Sequence, residues 1–151
     1  MSVTGGQQRK NEPVTGMRRK DMLSWDAKEL LELLDIIDKE GRFNRDVWTW
    51  IKWEEVGEFK DDDDLDKFLH EEVPEVIKSV AREIGARAYV YHKKDAVPGP
   101  EYIVLLKRGG KKYTLEVDCD PYEPEEKGTC TLFIVDAWRG WSEPTVHYHP
   151  I

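Results

Sequence analysis

The sequence is short of cysteine, histidine and basic charge, and it has no long apolar run. Two cysteines in 151 residues do not make a disulfide framework, and a chain of this length can bury a core without staples. Buried free thiols are the expected state of both in a reducing compartment. No stretch approaches the 18 or so apolar residues needed to span a bilayer. The first 20 residues lack the apolar region of a secretory signal, so a cytoplasmic setting is expected. Basic side chains number 23 against 31 acidic, a net charge of −8. A general nucleic-acid binder usually carries the opposite balance. Phosphate-loop, dinucleotide-binding, nucleophile-elbow and H-E-x-x-H units are all missing. With four histidines and no evident nucleophile constellation, the motif content points away from an enzyme.

What is present is acidity, in one place. Residues 1–24 hold five basic and two acidic groups, residues 25–85 nine and nineteen, and residues 86–151 nine and ten. The segments therefore carry +3, −10 and −1. Residues 1–23 read as a mobile polar basic tail that cannot repay its ordering entropy. Residues 24–151 read as one domain, with an acidic helical half (24–85) and a sheet half (86–151).

Periodicity gives the architecture. Ser24 is placed to cap a helix ending at Gly41, with Leu30, Leu34 and Ile37 on one face. Asn44 is placed to cap a second helix on which Val47, Trp50, Ile51 and Glu54 share a face. A third helical stripe runs from Leu65 to Ile84, and Pro74 predicts a kink or two short helices within it. Beyond Gly85 the pattern turns to strands over residues 88–92, 102–108, 111–119 and 129–137. Gly109-Gly110 is a two-residue hairpin signal. It pairs Leu106 with Tyr113, Val104 with Leu115 and Tyr102 with Val117. Setting Cys119 opposite Cys130 then puts Val117 opposite Leu132 and Leu115 opposite Ile134. One face collects Tyr102, Val104, Leu106, Tyr113, Leu115, Val117, Leu132 and Ile134, and the helices should cover it. The other face is half apolar and calls for cover from the C-terminal segment or a partner. The expected fold is α+β, with three or four N-terminal helices packed on one face of a four-stranded antiparallel meander.

The chemistry is sparse. His147 and His149 would share a face on a strand and, with Cys119 and Cys130, would make four zinc ligands. Their spacing matches no standard zinc motif. The stretch reads instead as a solvated tail, and no metal or other cofactor is expected. Glu116, Asp118 and Asp120 alternate at a strand end, a pattern that in a small metal-dependent hydrolase holds a cation. Six tryptophans are the unusual compositional feature. Trp48 and Trp53 fall off the buried helical face, while Trp138 and Trp141 flank Arg139 and Gly140 after the last strand. Trp and Arg are enriched at binding hot spots. Asp61, Asp62, Asp63 and Asp64 form an acidic run able to steer encounter with a basic surface. The sequence thus points first to a small acidic protein-binding module, an inhibitor, immunity-type or phage-encoded modulator. It would bind through these aspartates and through Trp48, Trp53, Trp138, Arg139 and Trp141. One alternative is nucleic-acid binding through the basic tail and the hairpin residues Lys107, Arg108, Lys111 and Lys112, a use the acidic helices disfavour; a second is a small metal-dependent hydrolase using Glu116, Asp118 and Asp120. No membrane partner is expected.

Overall fold

The computed structural model describes residues 23–43, 48–53, 62–94, 97–121 and 130–151. The first helix, α1 (Trp25–Glu40), starts and stops where its sequence dictates. Ser24 Oγ accepts from Ala27 N at 3.2 Å, and Gly41 takes the left-handed conformation at φ 81° that a Cβ would disfavour. Ala27, Leu30, Leu33, Leu34 and Ile37 form its buried stripe. The second helical segment is α2 (Asp62–Lys67), a π-turn (Phe68–Glu72) and α3 (Val73–Glu83). Pro74 lies at the start of α3, so the interruption expected there is present. Glu83 at the end of α3 accepts from both the N–H and the hydroxyl of Ser24, each at 3.0 Å, which ties the two segments together.

The strands are β1 (Trp48–Trp53), β2 (Ala86–Lys93), β3 (Tyr102–Arg108), β4 (Lys111–Pro121), β5 (Cys130–Arg139) and β6 (Tyr148–Pro150). They make one antiparallel sheet in the order β1-β5-β4-β3-β2-β6. The expected fold class is therefore corrected. Among the described residues the sheet has five strands of six to eleven residues plus a short sixth, not four, and two helical segments lie on it, not three or four. The missing helix is β1. Its sequence, WTWIKW, is rich in aromatic and β-branched residues that fit a pleated surface. An irregularity in its pairing with β5 between Thr49 and Lys52 breaks the strict two-residue period, so the apolar spacing imitates a helix. Asn44, the expected cap, lies outside the described residues.

The β3–β4 hairpin has the expected register, with Leu106 opposite Tyr113, Val104 opposite Leu115 and Tyr102 opposite Val117. Gly109 occupies the turn at φ 61°. The β4–β5 register differs from expectation by two residues: Cys119 faces Leu132, Val117 faces Ile134 and Pro121 faces Cys130. A slip of two keeps these side chains on their face; before the irregularity between Glu116 and Val117 the slip is three, and Leu115 faces Ala137. All eight predicted core residues are at most 1% exposed, and burying each contributes roughly 1.5–3 kcal/mol. α3 packs on β2, and α1 packs toward β1 and β5. Cys119 is disulfide-bonded, against the expectation of reduced thiols.

The C-terminal segment crosses the opposite face, as the half-apolar pattern there requires. Trp141 Nε1 donates to Leu106 O at 2.9 Å and Ser142 N to Thr114 Oγ1 at 3.0 Å. Thr114 Oγ1 in turn donates to Gly140 O, which satisfies this buried hydroxyl. The chain then passes the sheet edge and returns as β6 beside β2.

Candidate metal centre

A proline shapes the wall of the site. Val73 donates its N–H to Phe68 O, five residues back, which makes the π-turn. The carbonyl of Leu69 is then left over. Its α-helical donor would be Val73, already committed. Its π-helical donor would be residue 74, a proline without an N–H. The hydroxyl of Tyr102 on β3 donates to this carbonyl instead. Tyr102 is fully buried, and burial raises its pKa, with the Glu101 charge adding. Its ring stacks on His92 at a centroid distance of 4.8 Å and an angle of 20°. The π-turn also carries His70.

β2 and β6 supply two more imidazoles. His92 points to the helix-covered face with Ala86, Ala88 and Val90, in phase with the alternating burial of β2. His149 on β6 sits directly opposite it. Cross-strand partners on one face hold their side chains in reach of each other. Three rings thus converge from three elements: His70–His92 at 5.5 Å, His70–His149 at 5.4 Å and His92–His149 at 6.1 Å between centroids. One nitrogen from each lies within 4.8 Å of the others.

Glu101 sets the tautomer. Its Oε2 is 2.7 Å from His92 Nε2, so Nε2–H donates to the carboxylate and Nδ1 carries the lone pair. That hydrogen bond holds the Glu101 carboxyl below its ordinary pKa against the opposing effect of burial, with the Lys93 charge helping. The freed Nδ1 lies 3.3 Å from His70 Nδ1. Two nitrogens bound to one tetrahedral zinc at about 2.0–2.1 Å would be separated by roughly 3.3–3.4 Å. A carboxylate behind a ligating imidazole is the usual outer support of such sites. His149 titrates below its ordinary value, first through burial and then through His70, His92 and Lys94. The rings border a cleft of about 600 Å³ that Asp66, Lys93 and Lys94 also line.

The histidine pair singled out in the sequence is divided. His149 joins the cluster, whereas His147 lies in an exposed turn. Cys119 is held in its disulfide and is no ligand. His70 and His92 were missed. The signal for His92 was a polar residue in phase with the apolar positions of a strand. For His70 no local signal exists.

The other predicted residues lie elsewhere. Asp61 is outside the described residues, Asp62 begins α2, Asp63 is exposed and Asp64 half-buried. Trp48 and Trp53 are the end residues of β1, opposite Ile134 and Cys130. Trp138 and Trp141 do not sandwich Arg139. Trp138 lies under the Arg42 guanidinium at 5.1 Å and donates to Ser142 Oγ. Trp141 lies under Lys112 at 4.5 Å. Arg139 turns to the helical side, 3.7 Å from Asp38. The hairpin cations divide likewise. Lys111 pairs with Asp38 at 3.1 Å and Arg108 donates to Ile84 O, while Lys107 is exposed.

Of the alternating carboxylates, Glu116 faces Asp136 across the ladder. Its pKa is raised by burial and then by that like charge. Asp118 Oδ1 accepts from Cys119 N, and the side chain of Asp120 is outside the described residues. Among the described residues, the metal-ligating geometry belongs to the three histidines. No helix among them is long and apolar enough to cross a membrane. No protein-family model, curated protein or solved structure matches the chain.

Proposed function

We propose that this protein binds a divalent transition-metal ion, zinc foremost, through His70, His92 and His149. The observation that carries the proposal is the convergence of three imidazole nitrogens within 4.8 Å, two of them 3.3 Å apart, with Glu101 behind His92. An all-nitrogen set suits zinc, copper or nickel and is poor for magnesium or calcium, which prefer oxygen. Three protein ligands leave one tetrahedral position for water or a substrate atom. That is the pattern of a reactive site rather than of a closed structural one. An ion there would act as a Lewis acid and lower the pKa of its water, beside a cleft that brings Lys93 and Lys94 as cations and Asp66 as a carboxylate.

Thermal unfolding of chelator-treated protein tests this. Zinc or cobalt should raise the midpoint and magnesium should not, since a ligand at a hundred times its Kd stabilises by about 2.7 kcal/mol. Bound cobalt should show the visible bands of a tetrahedral nitrogen site. His92→Ala and His149→Ala should abolish the shift, and His147→Ala should keep it. Equal loss in the His147 variant, or no zinc-dependent shift at all, would overturn the assignment.

A further inference from the structure

The second large cleft is chemically unlike the rest of this acidic chain. It has a volume of about 760 Å³ and runs along the start of β2, between the end of α3 and the β3–β4 hairpin tip. Its cations come from three elements: Lys78 and Arg82 on α3, Arg87 on β2 and Lys107 on β3. Its described lining contains no carboxylate. Lys78 is partly engaged, donating to Ile151 O at 2.8 Å and standing 4.0 Å from Glu75. Arg82, Arg87 and Lys107 are exposed. Four positive groups lining one cleft, two from the helical side and two from the opposite face of the sheet, are a local electrostatic feature that a net charge of −8 conceals.

Aromatic surface adjoins this cleft. Tyr89 lies on the same face of β2 as Arg87 and is 40% exposed, and Trp141 is 39% exposed. Their rings meet edge to face at 5.7 Å. The indole is fixed by its hydrogen bond to Leu106 O, and Lys112 stands over it. Among the residues whose side chains are described, Trp25 is the one other large aromatic left this exposed. A cationic track beside anchored, half-exposed rings is the pairing that single-stranded nucleic acid uses, phosphates on the cations and bases on the ring faces.

We propose that this cleft binds single-stranded nucleic acid, with Arg82, Arg87 and Lys107 along the phosphates and Tyr89 with Trp141 as the base platform. The site is separate from the histidine cluster and does not depend on a metal there. A duplex is disfavoured because its stacked bases offer no free face to these rings.

The test is fluorescence anisotropy of a labelled twelve-residue oligothymidylate, with chelator present throughout. Binding should appear at low salt. Its affinity should fall on a log–log plot with a slope of about −2 to −3, since each neutralised single-strand phosphate contributes about −0.7. The double variant Arg82→Ala, Lys107→Ala should weaken binding at least tenfold with its thermal midpoint unchanged. Tyr89→Ala should weaken it roughly five- to a hundredfold, the range of one lost base stack, and Tyr89→Phe should restore it. No anisotropy change at low salt would overturn the proposal. Displacement by a polyglutamate peptide combined with an unaffected Tyr89→Ala variant would overturn it too. That outcome would assign the cleft to an acidic peptide lying along the β2 edge.

Discussion

Tyr102 and Pro74 are coupled through a single carbonyl. Replacing Tyr102 with Phe leaves Leu69 O buried without a donor, a loss of about 1–3 kcal/mol. Replacing Pro74 with Ala restores the N–H at position 74 and gives that carbonyl another donor. In the Pro74→Ala background the Tyr102→Phe penalty should therefore fall by at least half. Denaturant midpoints of the four proteins measure this, and an equal penalty in both backgrounds would refute the coupling. Asp38 is the other residue on which several groups converge. Burial pushes its carboxyl up, but hydrogen bonds from Tyr113 at 2.9 Å and Lys111 at 3.1 Å, with the charges of Lys111 and Arg139, outweigh burial and hold it below the ordinary value. Burial and that hydrogen bond push the Tyr113 hydroxyl up to about 12. A carboxylate lowered in the folded state stabilises above its unfolded pKa of about 3.9, and the contribution is lost as pH falls through the folded value. Asp38→Asn should therefore cost roughly 1–2 kcal/mol at pH 7 and less near pH 2. Thermal midpoints at the two pH values give the comparison, and a pH-independent difference would contradict it.

At the scale of elements, the hairpin and the strand were not equally readable. The β3–β4 register was written in Gly109-Gly110 and in a clean two-residue alternation, both local. The β4–β5 register passed through residues 122–129 with no turn signal of fixed length, and the ladder irregularity between Glu116 and Val117 removed the remaining phase information. β1 was misread because its irregular pairing hid the strand period. The histidine site was the least legible part. It needs the π-turn and the β2–β6 pairing, and a three-residue strand in a polar C-terminal stretch leaves almost no pattern. The disulfide belongs to this scale as well. Cys119 on β4 lies two positions from Pro121, the residue opposite Cys130 on β5. A cross-link closing about a dozen residues is worth about 3 kcal/mol. Reduction should lower the thermal midpoint by that equivalent, roughly 6–12 °C for a chain of this size, and an unchanged midpoint would argue against the bond.

The whole molecule is a sheet with two differently charged ends of interest and one continuous core. The helices cover one face and the C-terminal segment the other, so the centre of the sheet is shielded on both sides. Both proposed sites lie toward the β2 edge, where cover is incomplete. The histidine cleft sits where β6 pairs with Tyr91, His92 and Lys93. The cationic cleft sits where the remainder of β2, Ala86–Tyr89, has no described strand on its outer side. Chain order explains the arrangement: the consecutive strands β2 to β5 form the interior, and the short outer strands come from distant parts of the sequence.

The three-residue length of β6 has a mechanical consequence. Pulled outward from its end, β6 would come off β2 one residue pair at a time, like a zipper under low load. With an ion in place, His149 is fastened to the π-turn and to β2 together. The same pull would then have to break a coordinate bond before the strand could move, and the weakest seam of the sheet would become one of its strongest.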